Sequence, residues 1–354
     1  MKSPNPVRFL CAVLCLSSVS ASAQTAGGVG VTAIEVPDPI TGSVMSGYVF
    51  YSSAKQMRTT IGPYRIDAGV DTPPLPGARG LVVVSHGGGG SSLGHHTLAT
   101  HLAREGFLVA TIEHPKDNFR DQSGNGQSAV LVGRPIQVSA VITMLLNDRR
   151  WKSLIDPARI GVAGFSNGGY TSLMLVGAVP RFERFIEYCK RRPDHEPICG
   201  PMRELTALAS SQGRTVTQIV STMQGDLTRW GGTEDPRVKA AFVMAPLGLL
   251  FDAEGLVRVK EPVFLYYSEE DQVLIPSENA GRLRPLLKTL VGVKTVPRAD
   301  HWVFLSPCSE ALAKDAAMLC TDPTGVDRVS VHKQMNADAS AFFAGALSTS
   351  VPRR

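Results

Sequence analysis

Apolar and polar positions fall into two kinds of block along this chain. Short, nearly unbroken apolar runs at Gly80-Leu81-Val82-Val83-Val84-Ser85 and Phe107–Ile112 have the makeup of strands buried on both faces of a parallel sheet. Runs of the same kind follow at Arg159–Ala163, Val238–Met244, Val263–Tyr267 and Val293–Val296. Between them lie stretches with helical spacing: Leu98–Glu105, which ends at Gly106, then Pro135–Leu146 and Tyr170–Val176, and a last helix within Val331–Leu347. Strands alternating with helices predict the α/β class, with a doubly wound, mostly parallel sheet.

Two regions break that rhythm. Gly28–Gly69 reads as strand-rich and turn-rich, with β patterns at Val31–Val36 and Gly47–Tyr51, and a Pro/Gly connection from Thr72 to Gly80 follows. Residues 180–232 are polar, with helical patches at Met202–Ser210 and Thr215–Met223. We read them as a helical insertion capping the C-terminal edge of the sheet, within a single domain of residues 24–354. There is no internal repeat and no low-complexity tract.

The first 23 residues read as a signal peptide. Lys2 and Arg8 precede an apolar core from Phe9 to Leu16, and Ser20-Ala21-Ser22-Ala23 offers a small-x-small cleavage site after Ala23. The apolar core is too short to span a bilayer, which argues against a stable membrane anchor. Cys11 and Cys15 lack the small flanking residues of a lipoprotein site. A periplasmic or secreted protein is expected. The mature part then keeps four cysteines, Cys189, Cys199, Cys308 and Cys320, for which three disulfide connectivities exist. Proximity favours Cys189–Cys199 and Cys308–Cys320, and the lack of Cys-x-x-Cys spacing argues against zinc.

Composition adds little. Of 354 residues, 43% are hydrophobic and 19% charged, enough for a large core. The formal charge is only +5, and the densest basic run, Lys190-Arg191-Arg192, lies beside Asp194 and Glu196. That is a solvated helix end, not a nucleic-acid surface.

The chemistry is concentrated at Gly164-Phe165-Ser166-Asn167-Gly168, which lies between a strand pattern and a helix pattern. Strand, Gly-x-Ser-x-Gly, helix is the order that lifts a serine hydroxyl above a sheet on a strained turn. A serine hydroxyl needs a base, and the base an orienting acid. Asp271, just past the Val263–Tyr267 strand, is the candidate acid, with Glu269 and Glu270 as neighbouring rivals. His301, after the last strand, is the candidate base; His114 precedes the serine, His195 lies in the insertion and His332 in or near the final helix. His95, His96 and His101 fall in a helix region, where a satisfied surface or core role is expected rather than metal binding. Two backbone N–H groups must also meet the oxyanion. Asn167 follows the serine and supplies one; Gly88, with Gly89 second, supplies the other from Ser85-His86-Gly87-Gly88-Gly89-Gly90, and His86 supports that loop. This glycine run lacks the endings of a phosphate-binding loop. Phe165, Trp302 and Trp230 are candidate apolar lining for a substrate.

Together these pieces resemble the α/β-hydrolase superfamily, and within it the predicted dienelactone hydrolase group, which is similar to platelet-activating-factor acetylhydrolases and bacterial polyester hydrolases. The resemblance rests on Ser85-His86-Gly87, Ile112-Glu113-His114-Pro115, Arg134-Pro135, the Ser166 pentapeptide with Gly169, Asp271 and His301, and covers the mature chain outside the insertion. It implies the α/β-hydrolase fold. One departure matters: true dienelactone hydrolases use a cysteine nucleophile where this chain has Ser166, which favours ordinary carboxylic esters. The expected activity is hydrolysis of a small-molecule ester through an acyl-enzyme, with no metal and no organic cofactor. The rivals are a serine peptidase on the same fold, disfavoured by the short region before Gly80, and a catalytically inactive binding protein.

Overall fold

The apolar runs become strands, and their alternation decides which helices lie on which face. A computed structural model of the chain describes Met1 and residues 27–348. Apart from Met1, the expected signal segment, with Cys11 and Cys15, lies outside the described residues. The strands are β1 (Gly28–Pro37), β2 (Val44–Ser53), β3 (Thr59–Ile61), β4 (Tyr64–Ile66), β5 (Gly69–Val70), β6 (Arg79–Ser85), β7 (Leu108–Ile112), β8 (Ile155–Phe165), β9 (Val238–Met244), β10 (Val263–Ser268) and β11 (Leu290–Val296). Nine of them form one sheet in the order β11-β10-β9-β8-β6-β7-β2-β1-β5, and β3 and β4 form a separate hairpin. Strands β7, β6, β8, β9, β10 and β11 run parallel; β2 is antiparallel to both β7 and β1.

Every residue of β7 is buried, as is all of β6 after Arg79. Their odd and even positions feed opposite layers. Leu81, Val83, Leu108 and Ala110 pack with Val138, Val141, Ile142 and Leu145 of the helix Gly133–Asn147 and with Leu173 of the helix Asn167–Leu175. Val82, Val84 and Val109 pack instead with Leu98 and Leu102 of the helix His96–Arg104 and with Met335 and Phe343 of the helix Arg328–Ala346. Helices thus cover both faces, as the doubly wound reading requires. At Gly161 a Cβ would stand 2.6 Å from the Phe343 ring, so the last helix docks where the strand carries no side chain.

Residues 180–232 hold three helices: Glu183–Arg191, Glu196–Ser211 and Val216–Arg229. The first was not visible as an apolar pattern because it is nine residues long and mostly charged, with only Tyr188 fully buried. The third starts on a reciprocal cap, in which the Thr215 hydroxyl accepts the Gln218 N–H and Gln218 Oε1 accepts the Thr215 N–H. Disulfides join Cys189 to Cys199, across the first two of these helices, and Cys308 to Cys320. Among the described residues no helix is long and apolar enough to cross a membrane.

Candidate active site

Ser166 closes β8 in a conformation that a residue with a side chain rarely adopts, φ +56° and ψ −117°. Such backbone costs of order 1–3 kcal/mol and persists only where its surroundings over-determine it. Here the Ser166 N–H donates to the Met244 carbonyl at 2.9 Å, and its own carbonyl accepts the N–H groups of Tyr170 and Leu247. The flanking glycines are required by proximity rather than by dihedral angle. A Cβ on Gly164 would lie 2.0 Å from the Gly168 carbonyl oxygen, and one on Gly168 would lie 1.9 Å from that of Ser85.

Asp271 and His301 arrive from the ends of β10 and β11. Asp271 Oδ2 accepts His301 Nδ1–H at 2.7 Å, with both side chains only 2% exposed. Its other oxygen, Oδ1, accepts the N–H groups of Val273 (2.9 Å) and Leu274 (2.7 Å). Three hydrogen bonds from two segments therefore fix the orientation of the carboxylate. Glu269 and Glu270 are exposed instead; their backbone N–H groups bind the carbonyls of Val296 and Ala299, tying the Asp271 loop to the His301 loop.

The turn bearing His301 (His301–Phe304) is held from behind by two buried imidazoles. His332 Nε2–H donates to the Val303 carbonyl at 3.0 Å, and His95 Nδ1–H to that of Phe304 at 3.1 Å. Burial pushes His332 down to about 4 and His95 down to about 3, so both rings are neutral. The Phe165 ring lies 4.6 Å from that of His301, and Trp302 meets the same imidazole edge-on at 5.1 Å.

Ser166, Asn167, Gly88, His301, Phe165 and Trp302 share one cavity of about 230 Å³. Its far wall is apolar: Val130, Leu131, Leu247, Leu250, Val273 and Leu274, with Phe185, Pro197, Ile198 and Pro201 from the first two inserted helices. Among the described residues lining it none is Asp, Glu, Lys or Arg; Gln122 and Asn125 supply its remaining side-chain polarity. Trp230 is not in this wall. It borders a separate depression with Ile40 and Ile219.

The glycine loop after β6 discriminates between its own members. Gly89, at φ +63°, already gives its N–H to Asp117 Oδ1 at 2.9 Å, whereas Gly88 faces the cavity. Behind the loop lies a buried polar network that the sequence reading missed as a unit. Asp117 and Arg134 form an ion pair at 2.7 Å, 0% and 1% exposed. The signal that points there is a lone cation inside the apolar stretch Val130–Ile136, since a buried arginine needs a counter-charge. His86 and His114 sit beside the pair, and burial and then the Arg134 charge hold both well below the ordinary imidazole range. Among the described residues no three His, Cys, Asp or Glu side chains gather in the way a metal site needs.

Arranged this way, sheet, elbow and helices match known structures. A ferulic acid esterase from Streptomyces cinnamoneus aligns with a TM-score of 0.58 at 20% identity, covering 94% of this chain and 95% of that one. This is an α/β-hydrolase fold. A puromycin-hydrolyzing peptidase from Mycobacterium tuberculosis aligns at TM-score 0.50 and 14% identity, over 89% of this chain but 39% of its own. A dienelactone hydrolase from Anabaena variabilis reaches 0.47 at 16% identity, a likeness too loose to build on. No protein-family model matches the chain. At these identities the likeness concerns the fold alone.

Proposed function

We propose that the protein is an exported serine hydrolase of carboxylic esters, working through an acyl-enzyme. The observation that carries this reading is the buried 2.7 Å Asp271–His301 hydrogen bond in the same site as a serine on a strained elbow. With Asp271 on Nδ1–H, the His301 Nε2 lone pair is free to take the Ser166 proton as Oγ attacks the ester carbonyl. The backbone N–H groups of Gly88 and Asn167 hold the oxyanion; Asn167 opens the helix Asn167–Leu175, where first-turn N–H groups lack helical partners. His301 then gives its proton to the leaving alcohol, and water repeats the sequence to release the acid.

The apolar, uncharged wall supports neutral esters over substrates carrying a carboxylate, since an anion would be buried there without a counter-charge. The helices of residues 180–232 act as the cap, with Phe185, Pro197 and Ile198 shaping selectivity, and Phe165 and Trp302 contact the substrate. The grouping with predicted dienelactone hydrolases and platelet-activating-factor acetylhydrolases belongs to the same proposal and rests on the sequence motifs. Two disulfides support an oxidising compartment, periplasmic or extracellular. The test is labelling with a fluorophosphonate, mapping of the adduct, and turnover of p-nitrophenyl esters by wild type and Ser166→Ala. An adduct on Ser166 and loss of turnover in the variant are expected. Unlabelled folded protein would favour an inactive binding protein, and cleavage of peptide amides but not esters a peptidase.

A further inference from the structure

The buried ion pair behind the glycine loop has no part in the proton transfers just described, yet it joins both segments that would supply oxyanion donors. We propose that Asp117 is a positioning residue for the oxyanion hole, anchored by Arg134; this rests on the serine-hydrolase reading above. One Asp117 oxygen accepts the Gly89 N–H at 2.9 Å, and the other accepts Arg134 Nη1–H at 2.7 Å and the Asn167 side-chain amide at 3.3 Å. A single carboxylate thus ties the loop after β6 to the first residue of the elbow helix. The contact is close: a Cβ on Gly88 would fall 3.0 Å from Asn167 Nδ2 and 3.6 Å from Asp117 Oδ1. With Gly89 N–H drawn back to Asp117, the Gly88 peptide is left facing the cavity.

Arg134 is fixed in turn. Its Nη2 donates to the His86 carbonyl and, at 3.2 Å, to Ser85 Oγ, both at the end of β6. The hydrogen bonds beyond it run in one direction. Gln137 gives its amide N–H to Asp38, so its Oε1 must accept from His114 Nδ1–H at 2.7 Å. Neutral His114 then accepts at Nε2 from the Ser85 hydroxyl at 2.9 Å, which leaves the Ser85 lone pairs for Arg134. The imidazole tautomer and the amide orientation follow from the network itself.

A buried ion pair adds little net stability, and apolar residues of the same volume often replace it without loss. What apolar residues cannot replace is the two further hydrogen bonds, to Gly89 and Asn167, that set the spacing of the two donors. The guanidinium also cancels a negative charge that would otherwise oppose an oxyanion a few residues away. The pair therefore contributes position without adding net charge to the site.

The test compares Asn167→Ala, which keeps the backbone donor and removes its tether, with Asp117→Asn. For a short neutral p-nitrophenyl ester we expect kcat to fall by roughly tenfold to a hundredfold with KM nearly unchanged, as for a misplaced oxyanion donor. Affinity for a trifluoromethyl ketone, whose adduct carries the oxyanion, should fall by the same factor. A purely structural role would lower the melting temperature while kcat per titrated serine stayed constant. Folded variants with wild-type kcat and wild-type ketone affinity would overturn the proposal. If Asp117→Asn does not fold, Asn167→Ala decides alone, because its side chain is half-buried and gives up one long hydrogen bond. Failure of the hydrolase reading looks different: wild type itself would resist fluorophosphonate, and Ser166→Ala would lose nothing.

Discussion

Gly168→Ala adds one methyl group where there is no room for it. The new Cβ would stand 1.9 Å from the Ser85 carbonyl oxygen and 2.8 Å from that of His86. Both neighbours are backbone atoms of the strand and loop that precede Gly88, so no side chain can rotate away. Reaching a tolerable contact separates the elbow helix from β6 by about 1 Å, a displacement that costs on the order of a hundredfold in rate when it moves reacting groups. Overpacking of this kind also destabilises by about 1–3 kcal/mol, and a backbone clash lies at the upper end. The assay is the second-order rate of Ser166 labelling by a fluorophosphonate, read beside the thermal unfolding midpoint. Gly225→Ala, in the middle of the helix Val216–Arg229 with nothing within 4 Å, is the control and should gain up to about 1 kcal/mol. Labelling of Gly168→Ala at the wild-type rate would refute the claim that close approach, rather than chance, put glycine there.

Other outcomes follow from the same geometry. Asp271→Asn keeps acceptors for Val273 and Leu274 but turns an amide toward His301 Nδ1, so kcat should fall by about 10⁴-fold with the fold intact, as steady-state kinetics and circular dichroism would establish. His332, neutral in the folded protein down to about pH 4, takes a proton first in the unfolded chain, near pH 6.5. Its contribution to stability is therefore complete above about 6.5 and is lost between there and about 4, at up to about 1.4 kcal/mol per pH unit. Urea midpoints of wild type against His332→Gln should converge as the pH falls; parallel curves would refute this. Replacing Cys308 and Cys320 with serine opens a loop of sequence separation 12 and should cost about 3 kcal/mol in chain entropy, measured by denaturant titration.

The proposed order of serine, acid and base is legible because each of Ser166, Asp271 and His301 follows a strand that reads as an apolar run. For Gly88, the proposed second donor, the structure adds a reason to prefer it over Gly89: the Gly89 N–H is already given to Asp117. Less visible were features set by partners distant in sequence. Asp117 bonds to residues that are 28, 17 and 50 positions away, which no local pattern encodes. His95 and His332 read as incidental helix residues, yet they meet across the molecule beneath the His301 turn. The start of β8 was set too late, at Arg159, since Ile155-Asp156-Pro157 has the look of a turn; its pairing with Arg79 draws it into the sheet. Trp230, a candidate for the substrate wall, packs instead against the core beside a separate depression, a long-range placement that its local sequence does not encode.

The three inserted helices enter the chain after the elbow helix and leave it before β9, and Ser166, Asp271, His301, Gly88 and Asp117 all lie outside them. Phe185, Pro197 and Ile198 nonetheless form part of the cavity wall. The residues proposed for reactivity and those of the capping wall are thus inscribed in separate stretches of the coding sequence. On the proposed function, a lineage can explore new ligands by redrafting about fifty consecutive codons while the residues proposed to acylate are inherited whole.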